Sequence, residues 1–330
     1  MAIVSNGLIP VLDFEALNRS PHSRKSLRMI EEYREILSRF GFEKIQRIGI
    51  TPRTILNAYK QVRFFFGLPL DEKMKYQSKT EFGDPMGYIP ARTERAKGAA
   101  KPNLMEMFQF GNPAYGYNVW PDIEYAQFRK VMETLYYEAA DVAGPTLMTA
   151  TERAYGYPDG SLSSMLANGN TSIRLIRYAP LDDLRAADDE PLSAEHEDIN
   201  LKTILLPNAI DGPDTQILLP GSTNLWHSLG NQPSVFIINS GDMLKLFSTR
   251  YLDVPCDISR ALAELLPELL SYAVIPSTTH RVNRPIDRTK ASYRIVIFLH
   301  PRPEVVLAHG ITAGDFLKFR MSENYGQKIS

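Results

Sequence analysis

Two histidines and an aspartate have the side chains and the spacing to hold a metal ion. In AEHEDINLKTILL, His196 and Asp198 are one residue apart, so on an extended segment both point to the same face. His280, in STTHRV, lies far along the chain and can bring a second imidazole from another strand. Two imidazoles and one carboxylate on one triangular face of an octahedron suit Fe(II) and leave three positions open. The pair alone is weak, because a chain with six histidines meets a His-x-Asp spacing readily by chance, and a strand histidine is commonly a packed one. Its place at the start of a β-rich half strengthens the reading.

The elements that must position these residues fall into two textures. Ile9–Phe14 reads as a short strand. Ser23 to Phe40 puts Leu27, Ile30, Leu37 and Phe40 on one helical face. Thr51-Pro52 opens a second helix carrying Ile55, Tyr59, Val62 and Phe66, which stops at Gly67. A long helical stretch from Ile123 to Tyr155 has a kink or break at Gly144-Pro145. After Thr171 the runs SIRLIRY, LKTILL, TQILL, SVFIIN and SYRIVIFL are short and β-rich, with turn chemistry between them. The expected class is α+β with a closed or sandwiched sheet as its chemical half. Residues 1–330 are read as one domain: a mainly helical region over about 1–155, and a β core over about 171–310 with an insert at 250–275.

Composition narrows the rest. Lys and Arg number 37 against 38 Asp and Glu, so no excess charge favours nucleic acid or an anionic membrane. The lone Cys256 excludes an intrachain disulfide. No apolar run reaches a membrane span and the N-terminus lacks a leader pattern, so the expectation is cytoplasmic. The basic cluster Arg92, Arg95, Lys97 and Lys101 is a solvated loop or a substrate grip, and on the second reading it favours an acidic small molecule. Oligomeric state is not legible.

The ordered motifs IPVLDF, GFEKIQRIGI, FFGLPLDEKMKY, NLMEMFQFG, SIRLIRYAP, AEHEDINLKTILL, INSGDML, STTHRVNRP and IVIFLHPRPEVV resemble the isopenicillin N synthase-like branch of the 2-oxoglutarate/Fe(II) oxygenases over nearly the whole chain. The resemblance implies a double-stranded β-helix (jelly-roll) core with N-terminal flanking helices. It implies iron ligation by His196, Asp198 and His280, with no catalytic residue beyond the metal centre. It further implies 2-oxoglutarate as co-substrate and O2 as oxidant. Succinate and CO2 would be released as a substrate C–H bond is oxidised by hydroxylation, desaturation or ring closure.

Three departures from the family qualify that picture. The family grips the far carboxylate of 2-oxoglutarate with an Arg and, two residues later, a Ser; this chain has Ser292-Tyr293-Arg294, the same types in reverse order. Arg294 with Ser292 is the expected anchor, since a guanidinium binds carboxylate through paired charge-assisted bonds. Lys202, Arg288 and Lys290 are the substitutes, and a structural ion pair is the plain alternative for Arg294. Tyr178 matches a tyrosine that assists co-substrate binding, but the Asn that often precedes it by two is Ile176. A helical insert carrying Ile258, Leu262, Leu265, Leu266, Leu269 and Leu270, capped by Asp257, follows the GDML strand as a lid or as an outer packing element.

Rival readings share the scaffold. An Fe(II) oxidase of the same fold would use no 2-oxoglutarate. A zinc hydrolase would need a nearby general base, and Glu197 points away by strand alternation. A jelly-roll that only binds a ligand would account for the altered Arg-Ser order.

Overall fold

The computed structural model describes residues 8–79, 85–94, 100–121, 125–187, 189–208, 213–252, 262–285 and 287–325. Cys256, Arg95, Lys97, Asp257 and Ile258 lie outside them.

The N-terminal half supplies β1 (Val11–Asp13), β2 (Phe42–Gln46), β3 (Gly87–Ile89) and β4 (Met105–Phe110). The second half supplies β5 (Ser172–Tyr178), β6 (Ser193–His196), β7 (Lys202–Leu205), β8 (Thr215–Leu218), β9 (Trp226–Ser228), β10 (Phe236–Ser240), β11 (His280–Val282) and β12 (Ser292–Leu299). They form an eight-stranded sheet in the order β1-β2-β10-β7-β12-β5-β4-β3 and a four-stranded sheet in the order β6-β11-β8-β9. Side chains from both sheets line one pocket, which is how a double-stranded β-helix builds an interior site.

Period-two alternation sorts the large sheet into two faces. Thr203, Leu205, Ile237, Asn239, Arg294, Val296 and Phe298 face the pocket. Ile204, Ile238, Ile295 and Ile297 are buried in the apolar core on the other face. The helix Pro52–Phe66 packs there against β5 and β12, and the helix Ala126–Tyr137 packs on it. Phe65, Phe108 and Phe128 meet with ring centroids 4.8–5.3 Å apart. That backing holds the strands whose other face lines the pocket.

Local sequence accounts for the helix ends. Ser23 and Thr51 each accept the backbone N–H three residues on, at 3.2 Å, capping Arg24–Phe40 and Pro52–Phe66. The first ends at Gly41 with φ +63°, where a Cβ would lie 2.6 Å from the Pro276 carbonyl oxygen. Glycine is needed there both for conformation and for the close approach of the segment leading to His280.

Several expectations change. Leu27 is exposed rather than on the buried face. The irregularity expected at Gly144-Pro145 is present as a wider turn, Glu138–Ala143, through which Ala126–Tyr137 continues into Gly144–Tyr155. Pro145 has no N–H to return to the preceding turn, so the ladder shifts there. Asp242–Phe247, read as strand, is a short helix after β10. In the insert, the helix Leu262–Ser271 packs against Asp242–Phe247. None of its residues lines the pocket, which fits the outer packing element rather than the lid.

Candidate active site

His196 ends β6 and His280 begins β11, and the two are cross-strand partners with ring centroids 4.3 Å apart. Asp198 follows just beyond β6. Its Oδ1 lies 3.8 Å from His196 Nε2 and its Oδ2 lies 3.9 Å from His280 Nε2. One ligand atom from each residue falls within 4.8 Å of the others, so the three can share an ion.

The surroundings fix which atoms face that ion. His196 Nδ1 is 2.7 Å from the Ala194 carbonyl oxygen and His280 Nδ1 is 3.2 Å from that of Thr278. Each Nδ1–H donates to backbone, leaving both Nε2 lone pairs to converge, the arrangement that orients metal-binding imidazoles. Phe42 meets the His280 ring edge-on at 5.4 Å. Asp198 Oδ2 accepts from Thr203 Oγ1 at 2.6 Å and from Asn239 Nδ2 at 2.8 Å. Burial works to raise the Asp198 pKa, but the two imidazoles and these two hydrogen bonds outweigh it and hold the carboxyl below its ordinary value. Burial, then repulsion from His196, pushes His280 down to about 4, so its imidazole is neutral and able to ligate near neutrality.

The triad opens on a pocket with walls that include Met105, Ile176, Tyr178, Ile237, Val282, Arg294, Val296 and Phe298. Arg294 is buried, and its partners among the described residues are all neutral. Nη2 donates to the Pro213 carbonyl at 2.8 Å and to Asn231 Oδ1 at 3.2 Å, and Nη1 to its neighbour's carbonyl at 3.2 Å. The plain alternative of a structural ion pair therefore finds no carboxylate among those residues. Ser292, one step further along the same face, is buried with no partner for its Oγ among the described residues. It stands opposite Tyr178 in the β5–β12 register. Burial pushes the Tyr178 phenol up to about 12, against the lowering pull of Arg294 and Arg174, so it stays a hydrogen-bond donor.

The substitute anchors are engaged elsewhere. Lys202 points to the outer face of the sheet, fully buried in an ion pair with Glu43. Arg288 pairs with Asp182 and Lys290 with Asp287 near the surface. From the basic loop, Arg92 binds Glu190 and Lys101 binds Asp189, while Arg95 and Lys97 lie outside the described residues. Met105 lines the pocket; Phe108 packs in the helix-facing core, and Tyr251 sits with Tyr157 and Phe247. Glu197 accepts from Thr279 Oγ1 and does not line the pocket, leaving a zinc hydrolase without its base there.

Thr203, Asn239 and Phe42 were not foreseen as site residues. A signal existed: Thr203 and Asn239 are polar residues inside apolar strand runs, a placement that needs a partner.

Residues 9–123 match the family model for the N-terminal region of the non-haem dioxygenase in morphine synthesis. The 2-oxoglutarate-dependent dioxygenase thnC of Trichoderma harzianum is 28% identical over 251 residues, 73% of this chain and 76% of its own. The corresponding enzyme tropC of Talaromyces stipitatus is 25% identical over 266 residues, 75% of this chain and 80% of its own. A full-length Neurospora crassa protein, solved in complex with alpha-KG, superposes with a TM-score of 0.77 at 19% identity, covering 96% of each chain. A 2OG-Fe(II) oxygenase family protein from Caulobacter crescentus gives 0.75 at 24% identity over 96% of this chain and 99% of that one. The chain belongs to the 2-oxoglutarate/Fe(II)-dependent oxygenase superfamily, with the jelly-roll core of that fold. It is accordingly a dioxygenase of the class that works with Fe(II), 2-oxoglutarate and O2. Among the described residues no helix is long and apolar enough to cross a membrane.

Proposed function

We propose that His196, Asp198 and His280 hold Fe(II), that Arg294 with Ser292 and Tyr178 anchors 2-oxoglutarate, and that the enzyme oxidises a C–H bond of a small molecule. The observation that carries this is the sharing of one pocket by the converging triad and by a buried guanidinium with no described carboxylate partner. A charge buried without a counter-ion is costly, and a bound carboxylate removes that cost.

Two imidazoles and a carboxylate are the donor set this metal takes, and the donors already face inward with their tautomers fixed by backbone carbonyls. Bound iron supplies the chemistry by which 2-oxoglutarate and O2 become succinate and CO2 while one oxygen atom, or the equivalent two-electron oxidation, is delivered to the substrate. The chain's own task is placement. Arg294 pairs with the far carboxylate, Tyr178 donates its phenolic proton as a hydrogen bond, and Ser292 Oγ gains a partner. Apolar walls at Ile176, Val296 and Phe298 keep water from competing.

Anaerobic calorimetry of the Fe(II) protein with 2-oxoglutarate tests this reading. Stoichiometric binding that falls at least about tenfold in Arg294→Leu supports it. Absence of binding by the wild-type protein removes it.

A further inference from the structure

Two arginines face the same pocket from neighbouring strands, and they differ in charge balance. Arg294 stands opposite Ile176, and Arg174 stands opposite Val296, so the two are diagonal neighbours in the β5–β12 ladder. Arg294 has only neutral described partners. Arg174 is neutralised: its Nη1 donates to both oxygens of Glu94 at 3.2 Å, and its Nε donates to Gln109 Oε1 at 2.7 Å. Its Nη2 has no partner among the described residues.

Position separates the two further. Arg174 lies over the Phe298 ring, 5.3 Å from its centroid. Phe298 is the register partner of Thr203, whose hydroxyl holds Asp198. Arg174 therefore stands at the triad's end of the pocket, while Arg294 and Tyr178 mark the other end.

We propose that Arg174 is the substrate-recognising residue of this pocket, and that the substrate is a neutral, largely apolar molecule presenting a carbonyl or phenol oxygen to Arg174 Nη2. The inference rests on the functional reading above, which assigns the other arginine to the co-substrate. A carboxylate belongs with the uncompensated guanidinium, because placing a second anion beside a guanidinium already paired with Glu94 sets it against that carboxylate. A neutral oxygen acceptor meets the free Nη2 donors without that repulsion, and Met105, Ile176, Val296 and Phe298 receive the apolar remainder.

The test uses three probes of one shape: 2-acetylnaphthalene, 2-naphthoate and 2-ethylnaphthalene, titrated by calorimetry into the anaerobic protein holding Fe(II) and saturating 2-oxoglutarate. The expected order in the wild type is the ketone at least about tenfold tighter than either of the others. In Arg174→Met the ketone loses its advantage over the ethyl compound, while 2-oxoglutarate affinity stays within about twofold. In Glu94→Gln the freed charge reverses the order, with naphthoate gaining about tenfold and overtaking the ketone. This second variant keeps the test decisive if the first fails to fold. Naphthoate preferred by the wild type, no ketone binding, or variants that leave the ranking unchanged would overturn the proposal. If 2-oxoglutarate itself does not bind, the functional reading has failed. The same ranking measured in the metal-free protein then still decides the role of Arg174.

Discussion

Thr203 Oγ1 donates to Asp198 Oδ2 at 2.6 Å, and Asn239 Nδ2 reaches the same oxygen at 2.8 Å. Two neighbouring strands thereby occupy one carboxylate oxygen and orient the other toward His196. Groups of this kind set metal affinity through the ligand they hold. Thr203→Val keeps the shape and removes the donor. It is expected to weaken Fe(II) or Co(II) binding by about 10- to 100-fold with little loss of fold, as read by metal titration beside a denaturant curve.

Gly241 lies where two backbones nearly touch. A Cβ there would meet the Asn200 carbonyl oxygen at 2.2 Å and that of Asp198 at 2.9 Å. The backbone N–H groups of Gly241, Asp242 and Met243 donate to Leu201, Asp198 and Ile199. Gly241→Ala must push the Asp198 segment away. A loss of about 1–3 kcal/mol is expected in urea unfolding, together with weaker metal binding, whereas Gly221→Ala, in open space but at positive φ, should cost stability alone.

The Lys202–Glu43 pair is wholly buried on the helix-facing side of the sheet, spanning β10 between them. Their sequence neighbours Thr203 and Phe42 face the site. Lys202→Met strands a carboxylate in the core and should destabilise by about 3–5 kcal/mol, while pairing it with Glu43→Leu should restore most of that loss. Equilibrium unfolding of the two single variants and the double variant measures the coupling.

Tyr59 and Tyr178 are buried, and burial raises both phenols to about 12. A folded-state value above the ordinary 10 means their contribution to stability is complete below pH 10 and is lost as pH rises toward 12, by about 1.4 kcal/mol per pH unit for each phenol. Unfolding free energy followed from pH 9 to 11.5 should fall accordingly, and more gently in Tyr178→Phe. Because Tyr178 keeps its proton near neutrality, the same variant should weaken 2-oxoglutarate binding by one factor at pH 6.5 and pH 8.5.

Much of this architecture was legible because the strands after Thr171 are short β-rich runs separated by turn residues and His196 and Asp198 carry a spacing with geometric meaning. β2 was not read as a strand, since Glu43-Lys44 interrupts its apolar pattern; Glu43 is buried only because Lys202 answers it from a distant strand. The roles of Thr203, Asn239 and Phe42 depend on register between strands, which one sequence does not carry. The same holds for Arg174, whose neutral character comes from Glu94 across the fold. The pairing of Arg92 with Glu190 and of Lys101 with Asp189 was equally out of reach, because those acidic partners lie far along the chain.

A crystal structure of the protein grown anaerobically with Fe(II) and 2-oxoglutarate addresses the whole assignment at once. The expected density is a single iron bound by His196 Nε2, His280 Nε2 and Asp198, with the distal carboxylate of 2-oxoglutarate on the Arg294 guanidinium. Iron held by other residues, or that carboxylate resting on a different cation, would contradict the account.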